Sequence, residues 1–349
     1  MNINNLFTQH FFMRRILVTG FEVFSQHKTN ISQDIISTLD EKIIVDDPWY
    51  KSRAYKLDGV EIELERKILT VDSFGSRNIS ERLGKGESWD AIIHMGLCDS
   101  CLIPRIELLA SNILDMKIPD NLGRLEKNTK IGESNLKTKM NHEIIFSKIL
   151  SQEFELSFDA GNYICNETYF HTLKAIANRK SDNEIPCIFL HLPNYDKITI
   201  ENCKNLLSEV IGRMIFKPVI SVAAGVIVHD SKMLVARRND KQHSGYWEFP
   251  GGKLNLRENA SEAIVRELYE EFGWNINSVE HLGNWFHSRT DYDIELIVQK
   301  CNFQGELPNF NDKKNWTSHD QIKWISDHAG VSPYVGCDEE VANAVSGLI

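Results

Sequence analysis

The sequence predicts an α/β protein in two domains, the first organised on a mainly parallel sheet. Three observations carry that expectation. The chain has 349 residues, more than one hydrophobic core usually serves. From Ile16 to Ile215, short β-branched runs alternate with amphipathic stretches, the pattern of strands joined by helices. At Phe216-Lys217-Pro218 helical periodicity gives way to strand-like alternation. The expected domains are therefore 1–216 and 219–349.

In order, strands are expected at Ile16–Thr19, Ile62–Val71, Ala91–Met95 and Cys187–Leu192, each an apolar, β-branched run. Helices are expected from about Ser32, over Asn141–Leu150, and over Ile198–Ile215, where Leu206, Leu207, Val210, Ile211 and Met214 form one stripe. Ile220–Val228, His229-Asp230-Ser231 and Met233–Ala236 read as a hairpin. A closing helix is expected over Glu339–Leu348.

Hydrophobic content of 42% and charged content of 25% are those of an ordinary globular protein. A formal net charge of −10 argues against a general nucleic-acid surface, which needs a basic stripe. No apolar run approaches a membrane span. Arg14-Arg15 follow a short apolar patch instead of preceding it, the wrong order for a secretory signal. The seven cysteines, 98, 101, 165, 187, 203, 301 and 337, are odd in number and scattered, which fits reduced thiols and a cytoplasmic setting. Cys98-x-x-Cys101 lacks the second pair or flanking histidines of a metal or redox site. A membrane or nucleic-acid partner is not expected; assembly into a homo-oligomer stays open.

Residues 252–274 are the most informative stretch. Gly252 is followed by five residues to Glu258, seven more to Arg266-Glu267-Leu268, and then Glu270-Glu271 and Gly273. On a helix, Glu267, Glu270 and Glu271 share one face, with Ile264, Val265, Leu268 and Phe272 on the adjoining one. Gathered carboxylates repel unless a hard cation neutralises them, and oxygen ligands suit Mg²⁺ or Mn²⁺. The spacing fills every fixed place of the Nudix signature, so the segment resembles Nudix hydrolases, which cleave nucleoside diphosphates linked to another group. The resemblance implies an α/β/α sandwich with a mixed sheet, metal held by Glu267, Glu270 and Glu271, and catalysis through Glu267 with Arg266 bracing the glutamates.

Val235-Ala236-Arg237-Arg238 and Gly245-Tyr246-Trp247-Glu248-Phe249-Pro250-Gly251-Gly252-Lys253 are similar to the MutT-like branch. That resemblance implies that Arg238 and Phe249 lie by the nucleotide and that the Gly251 carbonyl helps hold metal. It also makes Asp338 a candidate base reader, a carboxylate able to accept from an exocyclic amine; N-capping of the closing helix is its other reading. Relatives carry a glutamate six residues before a tryptophan, which counts back from Trp324 to Ser318 here. Either His319 or Asp320 substitutes, or the helix carboxylates act alone.

In the first domain, Gly20-Phe21-Glu22-Val23-Phe24 with Asn30, then Pro104-Arg105-Ile106-Glu107, then Gly161-Asn162-Tyr163-Ile164-Cys165-Asn166 and Leu190-His191-Leu192-Pro193 occur in sequence. In this order and spacing they resemble pyroglutamyl peptidase I, a cysteine peptidase that removes N-terminal pyroglutamate. The resemblance spans about residues 14–215 and implies Cys165 as nucleophile, His191 as general base and Glu107 as the carboxylate orienting it. It places Phe21, Phe24, Asn30 and Tyr163 around the substrate ring. The chemistry is coherent, because a helix N-terminus favours a thiolate and an adjacent imidazole takes the proton. The chain departs from the family, which has Gly-Gly-Arg at Asp99-Ser100-Cys101, Arg at Leu108 and His at Glu167; losing two cations and gaining acids nearby should alter the electrostatics of the site.

Two function classes follow. One is a bifunctional enzyme, a Mg²⁺-dependent nucleotide pyrophosphohydrolase fused to a cysteine hydrolase acting on an N-terminal pyroglutamyl peptide or related amide. The other is a regulatory or sensor protein whose N-terminal domain binds a ligand without turnover and controls the Nudix domain.

Overall fold

The computed structural model describes residues 13–146, 153–179, 185–314 and 316–347. The stretch read against a secretory signal falls mostly in residues 1–12, and part of the helix expected over 141–150 falls in 147–150, outside the described residues. The chain separates into two compact units. One holds Met1–Pro48, Asp58–His142 and Ile149–Phe216, and the other holds Lys217–Ile349 together with Trp49–Leu57 and Glu143–Lys148. Membership of Trp49–Leu57 in the second unit is not visible in the linear sequence.

The first unit runs β1 (Arg14–Phe21), α1 (Ile31–Thr38), β2 (Lys42–Val45), β3 (Val60–Leu69), α2 (Ser73–Gly84), β4 (Ala91–Leu97), β5 (Arg105–Glu107), β6 (Leu109–Ala110), β7 (Ile113–Leu114), β8 (Thr129–Lys130) and β9 (Leu136–Lys137). After a short α3 (His142–Ile145), which past His142 belongs to the second unit, there follow β10 (Glu155–Ser157), α4 (Ile164–Ala177), β11 (Cys187–Leu192) and α5 (Ile200–Ile215). Its main sheet has the order β10-β5-β11-β4-β1-β3-β2. The neighbours are parallel except for β5 against β11 and β2 against β3. Every residue of β4 and β11 is buried, as a strand covered on both faces requires. Leu17, Ile92 and Phe189 pack with Tyr169 and Phe170 of α4 and Ile79 of α2.

Helix α2 is absent from the sequence reading, because Gly75, Ser73, Ser76 and Asn78 are poor helix formers. Its N-terminus is fixed by Asp72, whose Oδ1 accepts from the N–H groups of Phe74 and Gly75 at 2.8 Å. Gly75 is needed there, since a Cβ would sit 1.9 Å from the Thr70 carbonyl oxygen.

The second unit contains β12 (Val219–His229), β13 (Lys232–Arg238), β14 (Trp247–Glu248), β15 (Gly251–Lys253), α6 (Ala260–Phe272), β16 (Ile276–Ser288), β17 (Asp293–Phe303), β18 (His319–Ile325) and α7 (Asp338–Ser346). Its mixed sheet is ordered β14-β13-β12-β17-β16, with β15 on β12 and β18 on β13. The expected hairpin is present: Asp230 and Ser231 both have positive φ, 49° and 54°, which matches the twist of the flanking strands. Successive residues of β12 face opposite ways. Ala223 and Ile227 pack with Ile264, Leu268 and Phe272 of α6. Ala224 and Val226 join the cluster that holds Val341, Ala342 and Val345 of α7. Val265, expected on the apolar face, is 37% exposed, because one residue beyond Ile264 turns it about 100° around the helix. No helix of the described residues is long and apolar enough to cross a membrane.

Candidate functional sites

In the first unit, Cys165 is the second residue of α4, preceded by Tyr163 at the N-cap, whose side chain makes no capping bond. His191 stands on β11 opposite Gly96 of β4, and Gly96 is glycine for a visible reason: a Cβ there would lie 2.9 Å from Cys165 Sγ. Glu107 ends β5 on the other side of β11, fully buried, with Oε1 2.8 Å from His191 Nδ1. Since an ionised carboxylate only accepts, Nδ1 donates and Nε2 is left for the thiol. Burial alone would lower the His191 imidazole, but its hydrogen bonds to Cys165 and Glu107 outweigh burial and raise it to about 9. Cys165, His191, Glu107 and Tyr163 line one cleft of about 590 Å³. The other free cysteines are buried, whereas Cys165 is partly accessible.

The expected substrate residues separate. Phe24 and Tyr163 are half-buried with ring centroids 5.9 Å apart. Phe21 is 2% exposed and stacks on Phe189 in the core. Asn30 is buried as the N-cap of α1; its Oδ1 accepts from Ser32 N at 3.1 Å and its Nδ2 donates to the Glu22 carbonyl at 3.0 Å. Those bonds commit the side chain to the fold.

The departures also resolve physically. Glu167 does not load the cleft with a free negative charge: its carboxylate is buried and takes both terminal nitrogens of Arg124, one at 3.0 Å. Arg124 in turn holds Asp120. Burial pushes the Glu167 carboxyl up, but Arg124 and His171 prevail and bring it to about 2. Leu108 is buried in the core. Cys98 and Cys101, expected as reduced thiols, form a disulfide, because the tight turn closed by Cys101 N to the Cys98 carbonyl brings their Cα atoms within 5.4 Å.

In the second unit, α6 opens with a capping box between Asn259 and Glu262 and ends at Gly273 with φ of 72°. Arg266 does the bracing expected of it. Its Nη1 reaches Glu267 at 2.8 Å and Glu270 at 3.1 Å, while Nε and Nη2 grip Glu258 at 2.7 and 2.8 Å. Gly252 leaves room for Glu267: a Cβ there would meet its carboxylate carbon at 2.2 Å. Gly251 is equally constrained, with a Cβ 2.0 Å from the Ala223 carbonyl oxygen.

Glu271 is largely buried. Burial raises its carboxyl; His319 opposes the shift and Glu248 adds to it. Glu248, quoted in the motif but given no role by the sequence, is the hub of this cluster. Its Oε1 accepts from Arg238 Nη1 at 2.8 Å and from His319 Nε2 at 2.9 Å. Arg238 also pairs with Asp240. Phe249 is buried in the core, and its N–H donates to Asp338 Oδ1 at 2.7 Å. Asp338 is not the N-cap of α7; Cys337 takes that place, because Asp338 N is already turned back on the Val335 carbonyl. Burial and then the nearby Glu248 hold the Asp338 carboxyl well above the usual carboxylate range. Of the two substitutes for a glutamate at Ser318, Asp320 pairs bidentately with Arg237 at 2.8 and 2.9 Å, and His319 points into the cluster.

Among the described residues no three histidine, cysteine or carboxylate side chains converge as a preformed metal cage. The donor set nevertheless fits a hard cation: Glu271 Oε2 is buried without a hydrogen-bond partner, 3.6 Å from His319 Nδ1, which also lacks one.

Comparison with known proteins matches two families along the chain. The pyroglutamyl peptidase family matches residues 14–229 and the NUDIX domain family residues 219–335. The chain is 39% identical over 85 residues to an 8-oxo-dGTP diphosphatase of Proteus vulgaris, covering 24% of this chain and 76% of that protein. It is 31% identical over 108 residues to the CTP pyrophosphohydrolase of Escherichia coli, covering 31% of this chain and 76% of that one. It is 26% identical over 223 residues to pyrrolidone-carboxylate peptidase 2 of Caldanaerobacter subterraneus, covering 62% of this chain and 98% of that one. The chain thus belongs to two hydrolase families at once, the pyroglutamyl peptidases through its first part and the Nudix hydrolases through its second.

Proposed function

We propose that the chain is a bifunctional hydrolase, dividing at residues 217–218 into a cysteine peptidase domain, 1–216, and a metal-dependent nucleotide pyrophosphohydrolase domain, 219–349. The observation that carries the second activity is the braced carboxylate face of α6, Glu267, Glu270 and Glu271 with Arg266. Glu267, Glu270, Glu271 and the Gly251 carbonyl would hold Mg²⁺ or Mn²⁺. When bound, such an ion supplies Lewis-acid polarisation of a phosphoryl oxygen and a water activated for in-line attack. Arg266 keeps the carboxylates aimed by charge-assisted hydrogen bonds. The substrate proposed is a nucleoside triphosphate, a cytosine nucleotide or one bearing oxidised guanine, in keeping with the names of two relatives. Asp338, whose carboxyl burial and Glu248 raise well above the usual carboxylate range, can accept from an exocyclic amine and, in its protonated form, donate to an oxo group. Release of pyrophosphate or a nucleoside monophosphate from a panel of triphosphates, with Glu271→Gln as control, tests this reading.

In the peptidase domain, Cys165 Sγ attacks the pyroglutamyl carbonyl carbon, the amide C–N bond breaks, and His191 hands its proton to the leaving amine. Water, deprotonated by His191, then cleaves the thioester, returning the thiol and releasing pyroglutamate. Glu107 holds the imidazole in register. The buried Glu107–His191 hydrogen bond supports turnover over ligand binding alone, so the sensor reading is not favoured. A pyroglutamyl amide reporter tests the inherited substrate.

A further inference from the structure

We propose that His319 is itself a ligand of the divalent ion, filling through Nδ1 the place for which the chain offers no glutamate at Ser318. The inference rests on the reading above that Glu271 holds the ion, and it concerns a nitrogen ligand in a site otherwise built from oxygens.

The side chain of His319 is fully buried, and its ring stacks on Phe272 with centroids 4.9 Å apart. Its Nε2 lies 2.9 Å from Glu248 Oε1, an acceptor that also takes Arg238. With Nε2 donating to Glu248, Nδ1 is the nitrogen through which the neutral imidazole could bind a cation. Nδ1 faces Glu271 Oε2 at 3.6 Å, beyond hydrogen-bond reach. Neither atom has a hydrogen-bond partner among the described residues. Two buried polar atoms that face each other without hydrogen-bond partners form a place that a cation bound to both would satisfy.

A divalent ion meets the geometry. Two cis ligand atoms bound at about 2.1 Å to an octahedral ion are roughly 3.0 Å apart, so the observed gap closes with an inward shift of about half an ångström. Glu248, the imidazole and the ion would form a carboxylate–histidine–metal relay, in which the carboxylate fixes the ring and raises the basicity of the ligating nitrogen. Alternation along β18 excludes the neighbour: His319 is buried, and Asp320 turns away to Arg237. An imidazole ligand also shifts preference from Mg²⁺ towards Mn²⁺ or Co²⁺, relative to an all-oxygen site.

The test uses tag-free full-length chain and Mn²⁺ alone, read by pulsed electron paramagnetic resonance and by calorimetric titration. Modulation from a directly bound ¹⁴N is expected in the wild type, replaced by a ¹⁵N pattern when histidine is isotopically labelled. His319→Gln should abolish the nitrogen signal and weaken Mn²⁺ binding roughly tenfold or more, and Glu248→Gln should weaken it about 10–100-fold. The labelled wild type keeps the test valid if either variant fails to fold. Mn²⁺ binding that depends on Glu271 but shows no nitrogen coupling overturns this inference and leaves the metal reading standing. No Glu271-dependent binding at all overturns both.

Discussion

His191 and Glu107 lie on antiparallel neighbouring strands, two residues out of register, and their side chains close that offset with a 2.8 Å contact between Nδ1 and Oε1. The imidazole is thereby fixed from behind while its other nitrogen faces the thiol at the start of α4. Removing only the charge should expose this dependence. Glu107→Gln keeps an acceptor of the same shape, yet turnover of a pyroglutamyl amide should fall by about 10⁴-fold, as for other triads deprived of their carboxylate. Steady-state kinetics on a variant with an unchanged unfolding midpoint would establish it; unaltered kcat would remove Glu107 from the mechanism.

The same pair predicts a pH signature. With the folded His191 raised to about 9 against an unfolded value near 6.5, the stability it contributes is fully present below pH 6.5 and is lost as pH rises through 9. Thermal melts of wild type and His191→Gln should therefore differ most in acid and converge in mild alkali. Cys165 should also alkylate with iodoacetamide faster than the buried Cys203 or Cys301, and His191→Ala should slow it. Equal rates at the three thiols would reduce the first domain to a binding module.

Arg124 should prove costly to remove. Arg124→Ala leaves the buried Glu167 carboxylate without its main cation, with only His171 nearby, and should destabilise by about 3 kcal/mol in urea unfolding. Adding Glu167→Gln should recover much of that loss, which a mere packing role for Arg124 would not allow. Because Glu167 is brought to about 2 from 4.5, its contribution is present above pH 4.5 and disappears as pH falls through 2.

Asp338→Ala should erase discrimination between bases more than it slows the best nucleotide, because the carboxyl is held by Phe249 N–H, remote from the α6 glutamates in sequence. Competition between cytosine and oxidised guanine triphosphates reads this directly, and an unchanged ratio would refute the role.

The sequence made the order of elements legible wherever one face repeats at a fixed period, as in α5, β11 and the β12–β13 hairpin. It also brought forward Cys165, His191, Glu107 and the α6 carboxylates, since motif spacing survives without coordinates. What it could not settle depends on which way a side chain turns. Asn30 and Phe21 have the residue types of a substrate pocket, but a helix cap and a core stack use them up. Glu167 reads as an uncompensated acid until Arg124, 43 residues earlier, meets it. Ser318, His319 and Asp320 are adjacent in sequence, and only the alternation of β18 selects the histidine.

The most direct test of the account is nucleotide hydrolysis by the full chain with Mg²⁺ or Mn²⁺, comparing wild type with Glu271→Gln. Metal-dependent cleavage of a nucleoside triphosphate by the wild type, lowered by orders of magnitude in the variant, is the predicted result. Equal turnover in the two proteins would contradict the assignment of the α6 carboxylates.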